Sequence, residues 1–247
     1  KYLKYNGRRK PELLDANTYS LNNYDEFRTV VKEYSDLSVI AERINDQLPL
    51  EYQDAYFQLV LHPVKACANL NEMYFNVALN ILYYNTVKNH LVKLFADRAK
   101  ELYTKDSLIT MVYHNLKEGK WNHMMSQTHI GYTTWQQPPR QKMPLIRYLP
   151  EDSVRPVDED VITPILKTSV NSITKNNKGN GFYEKQWTGV SIEAAHFTNA
   201  VNANGISWKV LPDLGRTGSA VTPFPVTAKV QKPGFFNAPP PSEIYTY

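Results

Sequence analysis

Apolar residues recur at helical spacing through the first half of the chain. Tyr24, Phe27, Val31 and Tyr34 fall on one face, and Leu37, Ala41, Ile44 and Leu48 continue it. The pattern predicts a first helix beginning near Asn23, with Asn23 and Glu26 at capping-box spacing. Ser35-Asp36 could interrupt it or cap a second piece. Pro49 restarts the chain, and Tyr52, Ala55, Tyr56 and Leu59 form the next stripe. Pro63 either kinks that helix or opens another at its first turn. Leu70, Met73, Tyr74, Val77 and Ile81 follow, then Leu91, Phe95, Ala99 and Leu102. Ser107 is placed to cap a last helix, Leu108 to Lys117, which Gly119 would stop. About five helices with short connections make a bundle.

The period then shortens. ILKTSVNSIT (165–174), GVSIEAAHFT (189–198) and ISWKVLPDL (206–214) read as strands, divided by the Asn/Gly turns of NNKGNG and NANG. Thr222 to Val230 could be a further strand. Pro223 and Pro225 push it to a sheet edge. Residues from Gly234 to Ser242 read as loop. Glycine and proline mark the same division: residues 1–137 hold 3 of the 16 Pro and 3 of the 10 Gly. Helix interiors exclude both, so helix belongs before residue 137 and not after it. The fold class predicted is α+β. A five-helix-type bundle (18–137) is followed by an extended, Pro-rich linker (138–163) and a partial, incomplete β-sandwich (164–247). Asn6-Gly7 is read as a turn within a short leading segment, 1–17.

Between the two halves lies GKWNHMMSQTHIGYTTWQQPP, from Gly119 to Pro139. Trp121, Tyr132 and Trp135 fit neither a helical nor a strand period. Rings this large are seldom left bare in water, so the stretch reads as a long, packed connection on which two units lean. Long ordered loops also carry function.

Composition narrows the function classes. With 28 Lys+Arg against 24 Asp+Glu the net charge is +4, and no basic run exceeds Arg8-Arg9-Lys10, which argues against nucleic acid as a partner. A single cysteine, Cys67, excludes an intramolecular disulfide and a cysteine-based zinc site. It sits in an apolar helical stretch and reads as buried and inert. No run approaches about 18 apolar residues, so no membrane span is read, and no signal peptide is read either. The 17 tyrosines suit sugar binding, since a flat ring packs on a pyranose while its hydroxyl hydrogen-bonds. Packing in helix interfaces is the better account of most of them.

Candidate chemistry is sparse. His114, His123 and His129 invite a metal reading. However, the last two are six apart on a loop, with no acid between Gly119 and Arg140, so no metal site is assigned. Local hydrogen bonding by Asn122, His123 and Gln127 explains them more simply. No nucleophile elbow, phosphate loop or dinucleotide fingerprint is present, and no cofactor is implied. Arg8 and Arg9 could grip a carboxylate in bidentate fashion, or they could pair with nearby acids. Glu12 is the one acid beside them. Asp25, Glu26 and Glu33 read as surface or capping residues.

KWNHMMSQTHIGYTTWQQPP resembles a motif of the family 115 glycoside hydrolases, the xylan α-1,2-glucuronidases. GRRKPELL (7–14) followed by TYSLNNYDEF resembles that family's passage from catalytic barrel to helical domain. VSIEAAHFT (190–198) and WKVLPDLGRTGSAVTPFPV (208–226) resemble the start of its C-terminal β domain. The resemblance implies a chain that is the C-terminal portion of a longer, secreted or periplasmic enzyme. That enzyme would remove (4-O-methyl-)glucuronic acid from glucuronoxylan with inversion, using two carboxylates roughly 6.5–9.5 Å apart. Those carboxylates would lie on a barrel outside this chain, so no catalytic residue is assigned here. Segment 1–17 would then be the junction with the barrel. The barrel and a second copy in a homodimer would be the protein partners. Arg8, Arg9, Trp121, Tyr132 and Trp135 would be the substrate-binding candidates. A free-standing polysaccharide-binding or scaffold module without chemistry is the other reading.

Overall fold

A computed structural model describes residues 1–21, 25–86, 88, 90–154, 173–175, 182–184, 190–191, 194–202, 204–215, 219–228 and 244–245. The chain forms two compact units, Lys1–Ile162 and Thr163–Tyr247. The first is helical and the second carries short antiparallel strands, so the fold is α+β.

Five helices build the first unit: α1 (Tyr2–Arg8), α2 (Glu26–Gln47), α3 (Leu50–Tyr56), α4 (His62–Asn85) and α5 (Leu91–His114). At 24 residues each, α4 and α5 run for about 36 Å and pack along one another, with α2 laid against α4. The predicted stripes supply the core. Phe27, Tyr34, Leu70, Met73, Tyr74 and Leu102 of those stripes are buried, joined by Ile130 from the following loop; on α2, Val30 is buried where Val31 is expected, and Ile44 is exposed. Tyr19, Phe27 and Phe75 meet edge to face, at 5.3 Å between the first pair and 5.4 Å between the second.

Several local expectations are corrected. Asn6-Gly7 lies inside α1 and not in a turn: the Asn6 amide accepts from the Tyr34 hydroxyl at 2.8 Å and donates to Cys67 Sγ at 3.6 Å. Tyr5 and Leu14 of this segment are buried in the helical core. Helix α2 starts at Glu26, and Asn23 lies outside the described residues. Glu26 neither caps nor faces solvent. It is 2% exposed, accepts the Ser20 N–H at 2.9 Å, and pairs with Arg8. Ser35-Asp36 does not interrupt α2, because Asp36 pairs with Lys32 one turn back at 2.5 Å. Ser107 caps nothing. Helix α5 runs through it to His114, where positive φ at Lys117, Glu118 and Gly119 turns the chain away.

The stripe Tyr52–Leu59 also fails, for a specific reason. Residues Phe57–Leu61 form a π-helical turn between α3 and α4. Pro63 has no N–H to give the preceding turn, and the wider winding takes up the gap. One extra residue per turn rotates the buried face, leaving Leu59 75% exposed and burying Leu61 and His62.

In the second unit β1 (Ile173–Lys175), β2 (Phe182–Glu184) and β3 (Val190–Ser191) form one antiparallel sheet in that order. β4 (Asn199–Ala200) pairs with β7 (Ile244–Tyr245), and β5 (Ser207–Leu211) with β6 (Ala220–Phe224). The strand expected over 189–198 is shorter than its pattern, because Ala194–His196 is a 3-10 turn. The strand expected over 222–230 is also shifted, β6 ending at Phe224 before Pro225. Pro223 lies opposite Trp208 in this two-stranded ribbon. Asn204 and Gly205 both take positive φ in the predicted NANG turn. The NNKGNG turn and the 234–242 loop lie outside the described residues.

Candidate functional site

The aromatic loop leaves α5 through a series of tight turns. Backbone N–H groups of Asn122, Met124 and Ser126 bond carbonyls three residues back. Fully buried Ile130 then pins the loop to the helices. A side chain takes the place of a strand partner: Gln141 Oε1 accepts the N–H of His129 at 2.9 Å and of Ile130 at 2.7 Å. Beyond it the connector is fastened to α4. Asn80 donates to the Arg147 carbonyl at 2.9 Å and accepts its N–H at 2.8 Å.

The rings on this loop have different surroundings. Trp135 is 71% exposed, which corrects the expectation of a wholly packed stretch. The Lys10 ammonium lies 4.8 Å from its ring centre. Trp121 and Tyr132 are half-buried, and Lys120 stands 4.9 Å from the Trp121 ring. Arg8 is held inward. Its guanidinium is 2.5 Å from Glu26 Oε1 and lies over the Tyr19 ring at 5.1 Å. Arg9 is exposed, and its Nε donates to the Leu13 carbonyl at 2.8 Å. With Arg8 it lines a shallow hollow of about 290 Å³ that also holds Asp15, Asn17 and Thr18. The structure therefore sets Lys10 against Trp135, giving a bare indole with a cation at its face. Arg8 is already paired with Glu26.

A larger cleft of about 480 Å³ has Pro11 in its lining. Its lining combines Pro11 and Glu12, residues of α4 and α5, and Met124, Met125, Gln127, Thr128 and His129 of the loop. Here His129 Nε2 meets both Asp106 carboxylate oxygens, at 3.0 and 2.9 Å, while Nδ1 lies 2.9 Å from the Gln127 carbonyl. Burial opposes a charge on His129. The hydrogen bond and charge of Asp106, the Gln127 carbonyl and Glu12 outweigh it and hold the imidazole above its ordinary range. His62 is shifted the other way. Burial lowers it, Asp106 raises it in part, and His129 lowers it further. Cys67, in the same lining, is buried, with its thiol pushed up by burial as expected of an inert cysteine.

Of the histidines read from the sequence, His114 accepts the Met125 N–H at 3.3 Å, and His123 lies 3.3 Å from Ser126 Oγ. Among the described residues no group of three or more metal-ligating side chains forms. Sequence reasoning missed Asp106 because it sought an acid within the loop. The signal was elsewhere: Asp106 stands in the buried stripe Ala99, Leu102, Asp106, Ile109, Tyr113, where an acid needs a partner.

Among the described residues no helix is long and apolar enough to cross a membrane. Residues 181–241 match the family model of the glycosyl hydrolase family 115 C-terminal domain. No curated protein matches the chain.

Proposed function

We propose, from the premise that this chain carries a family 115 glycosyl hydrolase C-terminal domain over residues 181–241, that it is the accessory part of a secreted xylan α-1,2-glucuronidase. The glycoside hydrolase assignment rests on that match, and the match is the observation that carries the reading. The finer substrate assignment is ours: (4-O-methyl-)glucuronic acid on a xylan backbone, removed with inversion by carboxylates of a barrel outside this chain. The helical unit packs on that barrel and shapes its cleft, and pairing of two copies through this region completes the proposed assembly.

The surface around Trp135 supports this reading. A bare indole offers a flat face to a pyranose ring. Lys10 beside it, and exposed Arg9 two residues from Pro11, supply cations suited to a uronate carboxylate. Trp121 and Tyr132 extend the same loop. Arg8 serves a supporting part, fixing the segment through Glu26. The exposure of Trp135 equally favours a polysaccharide-binding module that performs no chemistry, and binding specificity separates the two. A xylo-oligosaccharide carrying glucuronic acid should bind the chain better than the bare oligosaccharide in calorimetric titration. Trp135→Ala should weaken that binding about tenfold, as loss of one stacking platform implies, and should leave the melting temperature unchanged. Equal binding of decorated and bare oligosaccharides would leave the module reading ahead. Trp135→Ala binding as well as the wild type would remove the indole from either site.

A further inference from the structure

Met125 and Gln127 both line the cleft, and the backbone of each is tied to a histidine. The Met125 N–H donates to His114 Nε2 at 3.3 Å. The Gln127 carbonyl accepts from His129 Nδ1 at 2.9 Å. These two ties have opposite requirements. A ring nitrogen accepts a hydrogen bond only while it carries no proton, and donates only while it carries one. The first tie therefore needs a bare Nε2 on His114, and the second needs a proton on Nδ1 of His129. Between them, the Ser126 N–H reaches the His123 carbonyl at 3.2 Å, and Ser126 Oγ lies 3.3 Å from His123 Nδ1.

His129 needs a second proton as well. Its Nε2 meets both oxygens of Asp106, at 3.0 and 2.9 Å, and an ionised carboxylate only accepts. Both ring nitrogens thus face acceptors, and only the imidazolium supplies two N–H donors. Facing the ring are Asp106 of α5, Glu12 of the Pro11–Leu13 turn and His62 of α4. Burial opposes the charge, and the two carboxylates favour it. When one proton leaves, the Gln141 amide is a donor within reach of Nδ1, at 3.1 Å. Gln141 is held in that orientation because its Oε1 accepts the N–H groups of His129 and Ile130. Nδ1 can then turn to Gln141 while Nε2–H stays on Asp106, and the Gln127 carbonyl is released. At the other end the titratable ring facing His114 is that of His123, with centres 5.9 Å apart.

We infer that Met125–Gln127 is a proton-operated clasp in the lining of the cleft, fastened at both ends only while His114 is neutral and His129 is charged. Acid releases the Met125 end and alkali the Gln127 end. The segment is therefore ordered within a window of pH bounded by the two histidines. Fully buried Ile130 holds the loop beyond it in either case. The inference stands apart from the glycosidase reading.

Imidazole nitrogen resonances and amide hydrogen exchange of the full chain, followed from pH 5 to pH 9, test it. Inside the window His129 should carry protons on both nitrogens, and His114 should have a bare Nε2. After correction for intrinsic exchange rates, protection of the Met125–Gln127 amides should pass through a maximum. It should fall about fivefold on the acid side, as for a neutral hydrogen bond, and about tenfold on the alkaline side, as for a charged one. Helical circular dichroism should stay constant throughout. His114→Gln supplies an acceptor that does not titrate, so protection of the Met125 amide should persist into acid. Gln141→Glu keeps the acceptor for both backbone N–H groups and replaces the competing donor by an anion, so the alkaline fall should move to higher pH. Protection that is flat with pH, or that falls on one side only, would overturn the inference. So would a bare Nδ1 on His129 at the maximum, a parallel loss of helical signal, or both limbs unmoved in the two variants.

Discussion

Asp106 and His129 come from different elements, 23 positions apart, and their contact fixes the aromatic loop to α5. Asp106 is 4% exposed, and both its carboxylate oxygens meet His129 Nε2, the ion-pair partner it has among the described residues. The pH dependence follows from the direction of the His129 shift. Its folded value lies above the ordinary 6.5, so the pair's contribution is complete below that value. It is lost as pH rises through the raised folded value. Asp106→Asn should therefore cost about 2 kcal/mol near pH 6, on the scale of a charged hydrogen bond, and less near pH 9. Urea unfolding at both pH values measures this. A larger cost at the alkaline pH would show that His129 is not the partner whose charge matters. The same pair illustrates what single residues revealed in the sequence. In the sequence His129 is a metal candidate set aside because no acid lies between Gly119 and Arg140, whereas its partner stands on α5. Glu26 was misread in the same way. It stands one turn into an amphipathic pattern, and nothing nearby announced that Arg8 would fold back onto it.

At the scale of elements, the stripes on α2, α4 and α5 were legible because 3.6-residue periodicity is imposed by burial itself. The π turn at Phe57–Leu61 was not. Pro63 signalled a disturbance, but periodicity says nothing of which face follows an added residue. The loop was the least legible element, since its order comes from side chains of distant residues. Gln141 takes the N–H groups of His129 and Ile130, and Gly131, at φ +97, passes against Lys142. A Cβ on Gly131 would lie 2.7 Å from Lys142 Cβ, so Gly131→Ala combines backbone strain with a clash. It should cost roughly 2–4 kcal/mol by thermal unfolding. Gly205→Ala has positive φ with open space around it and should cost only about 1 kcal/mol. Equal costs would mean that the approach of Lys142 is unimportant. The connector depends on Asn80, which is fully buried and also donates to the Val92 carbonyl at 2.8 Å. Asn80→Ala removes both bonds to the Arg147 backbone and the extra bond to the Val92 carbonyl, and should cost about 1–3 kcal/mol. Protease cleavage between residues 140 and 150 should rise before the helices unfold. Unchanged cleavage there would show that the connector is held by other contacts.

At the scale of the whole molecule, the change in glycine and proline content anticipated the change from helix to strand, because both residues act on the backbone whatever the tertiary context. Sheet architecture was less accessible. Short strands divided by turns specify pairing only through register, and the Ala194–His196 turn breaks a run that reads as strand. Function divides along the same line. The strand-bearing unit carries the family match, while the helical unit carries the exposed Trp135, the basic segment and the acidic cleft. On the reading proposed above, both would belong to one accessory portion of an α-glucuronidase whose acid and base lie on another domain. The most direct test is the release of (4-O-methyl-)glucuronic acid from glucuronoxylan, comparing this chain with the complete product of its gene. The account predicts release by the complete product and none by this chain alone. Release by this chain alone would contradict it and direct attention to Glu12, Asp106 and the histidines of the cleft as reacting groups.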